Sequence, residues 1–105
     1  MMFIVFLKFS HQRAQAGQWM AQHQQWLDEG FAAGAFLMAG SLDEARGGVI
    51  IAADLDAAAL LERVNQDPFV RHGVVEAEIQ GFKPSRLAEG MDAVLAAGAQ
   101  MAAAR

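Results

Sequence analysis

The sequence predicts one α+β domain with the element order strand, helix, strand, strand, helix, strand, followed by a further C-terminal helix. Three observations carry this expectation. Short apolar runs bounded by glycine or polar clusters read as strands, two stretches repeat apolar residues every three or four positions as helices do, and Pro68 and Pro84 stand where elements should stop. At 105 residues the chain is long enough for one hydrophobic core and too short for two.

Phe3 to Phe9 is rich in aromatic and β-branched residues and ends at Ser10-His11-Gln12-Arg13, as a buried strand running into a loop does. From about Gly17 the period changes. Trp19, Met20, His23, Trp26, Leu27 and Phe31 form one apolar stripe on a helix that should end near Gly30, which puts His23 on the buried side. Ala35 to Gly40 and Gly47 to Ala52 are short apolar runs separated by the polar segment from Ser41 to Arg46, a plausible antiparallel pair.

Asp54 or Asp56 can cap a second helix with Leu55, Ala58, Ala59, Leu61 or Leu60, and Val64 on its apolar face, running to about Gln66. It should stop at Asp67-Pro68, because the proline ring disfavours helical geometry at the residue before it. Val74 to Phe82 then alternates Val75, Ala77, Ile79 and Gly81 against Glu76, Glu78 and Gln80, the period-two pattern of a strand with one wet face. After Pro84 the chain turns alanine-rich, with Leu87, Met91, Val94, Leu95, Gly98 and Met101 at helical spacing. The expected division is a domain over residues 1–84 and a helical extension over 85–105.

The order βαββαβ is that of a ferredoxin-like unit, in which a four-stranded antiparallel sheet carries both helices on one face. With seven Phe and two Trp in so short a chain, the other face is expected to pack against a twin subunit.

Composition narrows the function classes. The chain is 54% hydrophobic and 19% charged, so it can bury enough surface to offset chain entropy. A net charge of -4 provides no sequence-wide basic field for a nucleic-acid backbone. No cysteine is present, which removes thiolate nucleophiles and Cys-ligated metals. The apolar start runs into Lys8 and lacks a basic leader, so a cytoplasmic protein without a membrane partner is expected.

A histidine exchanges a proton near neutral pH, and a carboxylate against one ring nitrogen fixes its tautomer and favours its charged form. His23 is the best-placed candidate. Its bland reading is a core histidine satisfied by a backbone carbonyl. Asp67 likewise reads first as the cap of a single turn opening at Pro68, yet one oxygen can cap while the carboxylate also meets His23. Ser41 at the mouth of the second strand, Trp19 and Phe69 are the candidate substrate-binding residues. His11, His23 and His72 show no metal-ligand spacing, so no metal site is expected. Gly47-Gly48 reads as a tight strand entry.

Several residues stand together in a recognisable order: His23 with Leu27 and Asp28-Glu29-Gly30, Ala39-Gly40 with Leu42, Gly48, Asp67-Pro68-Phe69 with Gly73, and Phe82-Lys83-Pro84. On these the chain resembles the YCII-related family of small ferredoxin-like, dimeric α/β-barrel proteins. The resemblance implies a homodimer, a catalytic pair at His23 and Asp67, and a small substrate, aromatic or lactone-like. It also implies isomerisation, elimination or hydrolysis with no cofactor. The alternative is a non-catalytic module that binds a small ligand. Two positions depart from the family pattern: Ser41 stands where many members have proline, and Met20 where an arginine is common.

Overall fold

The computed structural model describes residues 1–53 and 56–95. Four strands, β1 (Met2–Phe9), β2 (Phe36–Ser41), β3 (Gly47–Ala52) and β4 (Val75–Phe82), form one sheet in the order β2-β3-β1-β4. Every neighbouring pair is antiparallel. The helices are α1 (Ala16–Ala32), α2 (Ala57–Asn65) and α3 (Pro68–Arg71). This is the α+β ferredoxin-like arrangement as an open sheet.

Alternation along β1 divides the sheet into two faces. Phe3, Val5 and Leu7 point to the helices and pair across to Ala52, Ile50 and Gly48. There they join Trp26, Phe36, Leu60, Val64 and Phe69 in the core. Fully burying a side chain of this size contributes about 1.5–3 kcal/mol. The opposite face carries Ile4, Phe6, Val49 and Ile51, all half-buried, beside the exposed Met38. Glu76, Glu78 and Gln80 form its wet margin on β4, where Glu78 meets Lys8 at 3.0 Å.

The first helix starts within a residue of the expected position and ends slightly later than expected. It begins at Ala16 after a single tight turn at Arg13–Gln15, and it runs past Gly30 to Ala32. Gly30 is there for packing: a Cβ at this position would collide with the ring of Phe36, which lies against the helix backbone. Termination falls to Gly34, whose φ of 74° is left-handed and costs a glycine little.

Of the two expected caps for α2, Asp56 accepts a hydrogen bond from the Ala58 N–H at 3.0 Å, whereas Asp54 lies outside the described residues. After β4, residues 83–88 are irregular, 89–90 form a turn and 91–95 are helical, and residues 96–105 of the expected C-terminal helix lie outside the described residues.

Candidate active site

His23 and Asp67 are brought together by two local devices and one packing contact. On α1, Trp26 sits one turn beyond His23 and donates its Nε1–H to the Arg63 carbonyl at 2.9 Å, which fixes this face of the helix against α2. Asp67 is the N-cap of α3: Pro68 occupies the first helical position, and Oδ1 accepts the Phe69 N–H at 3.0 Å. The same oxygen lies 2.7 Å from His23 Nδ1. The Phe69 ring, carried round by the turn that Asp67 caps, stacks on the His23 ring at 4.1 Å between centroids and 7° between planes.

The geometry assigns the tautomer. An ionised carboxylate only accepts, so Nδ1 carries the hydrogen that is donated to Asp67, and in the neutral ring Nε2 holds the free lone pair. Asp67 is 0% exposed and His23 9%. The small exposed part of the imidazole is the edge away from Asp67, and among the described residues Nε2 has no hydrogen-bond partner. Asp67 Oδ2 is buried without a partner. Burying a carboxylate is costly unless it is hydrogen-bonded, and Oδ1 is held by both His23 Nδ1 and the Phe69 N–H.

His23 opens onto a cleft of about 450 Å³. One wall is α1, with Met20, Leu27, Asp28 and Phe31. The other is the β2–β3 tip, with Ala39, Gly40, Ser41, Gly47 and Gly48, while Phe9 and Phe69 close the inner end. The cleft exists because the tip residues are small: the α1 stripe continues toward the loop, but nothing opposite is large enough to fill the space. Leu27 is therefore only half-buried and Phe31 is 40% exposed.

Of the residues singled out in the sequence, His23, Asp67 and Phe69 form one cluster, and Ser41 lies on the facing wall at the end of β2. Trp19 does not line this cleft. Its ring stacks on His72 at 3.6 Å and 5°, with Nε1 buried and unpartnered. The sequence reading missed Leu27, Phe31 and Phe9 as wall residues, because a stripe at helical spacing looks the same whether it meets a core or a gap. The one available signal was the pair of small-residue steps, Ala39-Gly40-Ser41 and Gly47-Gly48, on facing strands.

Among the described residues no group of three or more His, Cys, Asp or Glu could hold a metal ion. No described helix is long and apolar enough to cross a membrane.

The model of the YCII-related domain matches residues 1–83. No curated protein matches the chain. Among solved structures, the fold is similar to that of 5-chloro-2-hydroxyhydroquinone dehydrochlorinase from Burkholderia phenoliruptrix in complex with 2,5-dihydroxybenzoquinone. The TM-score is 0.67 at 16% identity, over 81% of this chain and 96% of that one.

Proposed function

The chain belongs to the YCII-related domain family, and on that premise we propose that it is a small enzyme in which His23, oriented by Asp67, performs general acid–base chemistry. The observation that carries this reading is the 2.7 Å contact between His23 Nδ1 and the buried Asp67, which leaves Nε2 as the free nitrogen on the cleft. The substrate is a small molecule, aromatic or lactone-like, seated between α1 and the β2–β3 tip.

In the proposed step Nε2 takes a proton from a carbon or hydroxyl of the substrate. In an isomerisation the imidazolium returns that proton to another atom; in an elimination the electron pair moves through the substrate and expels an anionic leaving group. Asp67 holds the ring in its tautomer and stabilises the imidazolium without itself taking the proton. Ser41 on the far wall can hydrogen-bond the substrate. The dehydrochlorinase with a similar fold favours elimination from a hydroxylated aromatic ring as the first chemistry to try.

The test is turnover of a panel of halogenated hydroquinones and enol lactones by the wild type, His23→Ala and Asp67→Asn. The expected result is activity on at least one compound, with both substitutions reducing kcat by a factor on the order of 10²–10⁴ while the fold is retained. Turnover that survives His23→Ala overturns the reading. Ligand binding that weakens in His23→Ala, with no turnover to lose, would make the chain a binding module instead.

The functional unit is proposed to be a homodimer. The part of the sheet face away from the helices that bears Ile4, Ile51 and the 61% exposed Met38 is the surface a second copy would cover. Sedimentation of the wild type and Ile51→Glu checks this: a dimer that Ile51→Glu converts to monomer is expected, and a wild-type monomer rejects it.

A further inference from the structure

A second cleft, of about 580 Å³, shares the Phe9 wall with the first and is lined by Phe6, Lys8, Phe9, Ser10, Arg13 and Arg46, among others. The chain as a whole is acidic, with a net charge of -4, yet three of its eight Lys and Arg line this one concavity and, among the described residues, no Asp or Glu does. Lys8 is already paired with Glu78 at 3.0 Å. The other two cations are not in salt bridges among the described residues. The Arg13 guanidinium lies over the Phe9 ring at 4.7 Å, an arrangement that leaves its N–H edge unused. Arg46 spends only Nε, on the Asp43 carbonyl at 3.1 Å. Asp43 and Glu44 belong to the same loop, and neither lines the cleft.

Arg46 is also held in place by its backbone. Its carbonyl accepts the Phe9 N–H at 2.9 Å, and the Leu42 N–H donates to the Gly47 carbonyl at 2.8 Å, so both feet of the loop are tied. Glu44 and Ala45, just before it, adopt φ of 61° and 52°, a left-handed backbone uncommon for residues with a Cβ. Like charges gathered in one concavity repel, and a bound anion turns that repulsion into charge-assisted hydrogen bonding.

The two clefts adjoin. Ser41 and Gly47 line the His23 cleft, whereas Leu42 and Arg46, their immediate neighbours in the chain, line the cationic one. Phe9 is common to both linings.

We propose that the cationic cleft anchors an anionic group, a carboxylate or phenolate, of an aromatic substrate whose reacting atoms lie at His23 Nε2. This rests on the acid–base reading of His23 and adds the substrate class: an aromatic organic anion. Arg13 and Arg46 bind the charge, and Phe9 supplies the ring contact between the two clefts.

The experiment uses salicylate as the charged probe and salicylamide as its neutral counterpart. Binding is followed by probe NMR, and the His23 ring resonances are recorded in parallel. Wild type is expected to bind salicylate at millimolar concentration, less tightly as salt is added, and at least about tenfold more tightly than salicylamide. Arg13→Gln and Arg46→Gln should each weaken salicylate by about tenfold and leave salicylamide unchanged, with Arg46→Lys recovering part of the loss. Saturation with salicylate should shift the His23 ring signals. Absence of salicylate binding, equal binding of the two probes, or variants that bind like wild type would each overturn the anion site. Arginine-dependent binding that leaves the His23 signals unmoved overturns its link to the reaction. In His23→Ala the arginine-dependent binding should persist, so failure of the acid–base reading is distinguishable from failure of the anion site.

Discussion

The junction of α1 with α3 and the loop between β2 and β3 border the same cleft and are built in opposite ways. At the junction every constraint is duplicated: Asp67 caps α3 and holds His23 through the same oxygen, Phe69 stacks on the imidazole, and the carboxylate is 0% exposed. In the loop, Glu44 and Ala45 are exposed and left-handed, and at the flanking strand ends a Cβ on Gly40 would meet nothing, although one on Gly47 would strike the Leu7 carbonyl. The junction is a place to hold a reacting nitrogen in one position. The loop contributes little to the core, so its side chains are available to choose what enters.

The sharpest way to break this contrast is Asp67→Ala. It removes the cap and leaves the Phe69 N–H and His23 Nδ1–H without their acceptor, so stability should fall by about 2–4 kcal/mol, from about 1 for a lost cap plus about 1–3 for unmatched buried donors. Urea unfolding monitored by tryptophan fluorescence measures it. A loss under about 1 kcal/mol would mean that the junction is not held as the hydrogen bonds imply. Asp67→Asn keeps an oxygen for the Phe69 N–H and should lose less.

His23→Ala is expected to cost about 1–3 kcal/mol, because the buried carboxylate keeps only the Phe69 N–H and the stack on Phe69 is lost. The comparison that matters is with kcat measured on the same preparation. A loss of turnover without loss of the native amide NMR spectrum assigns His23 to the chemistry, whereas unfolding at assay temperature makes it a structural histidine.

The junction was largely legible in the sequence and the loop was not, for a physical reason. Asp67-Pro68 is a local signal: a capping side chain followed by a residue with φ already set for a helix. His23 follows from periodicity, which is also local. The meeting of Arg13 with Arg46 depends on β1 pairing with β3, and the emptiness opposite Leu27 depends on which strand residues the helix reaches. Neither is written in any short stretch of chain. Gly30 misleads for the same reason: a helical glycine can end a helix or admit a neighbour, and only the position of Phe36 in space decides.

The smallest predicted effect tests the strained half of the comparison by its sign. Ala45→Gly should be neutral or stabilising by up to about 1.5 kcal/mol. A left-handed L-residue costs roughly 1–2 kcal/mol, which glycine relieves, but glycine also gives the unfolded chain back roughly 0.4–1 kcal/mol of entropy. The same change at Ala21, exposed in the middle of α1, has no strain to relieve and should cost about 1 kcal/mol. The urea midpoint therefore falls for the Ala21 variant and holds or rises for the Ala45 variant if Ala45 is held left-handed by the fold. A loss at Ala45 equal to that at Ala21 would mean the loop carries no such strain. A gain accompanied by weaker salicylate binding would tie the strain to the placement of Arg46, since a relaxed loop no longer holds the guanidinium over the cationic cleft.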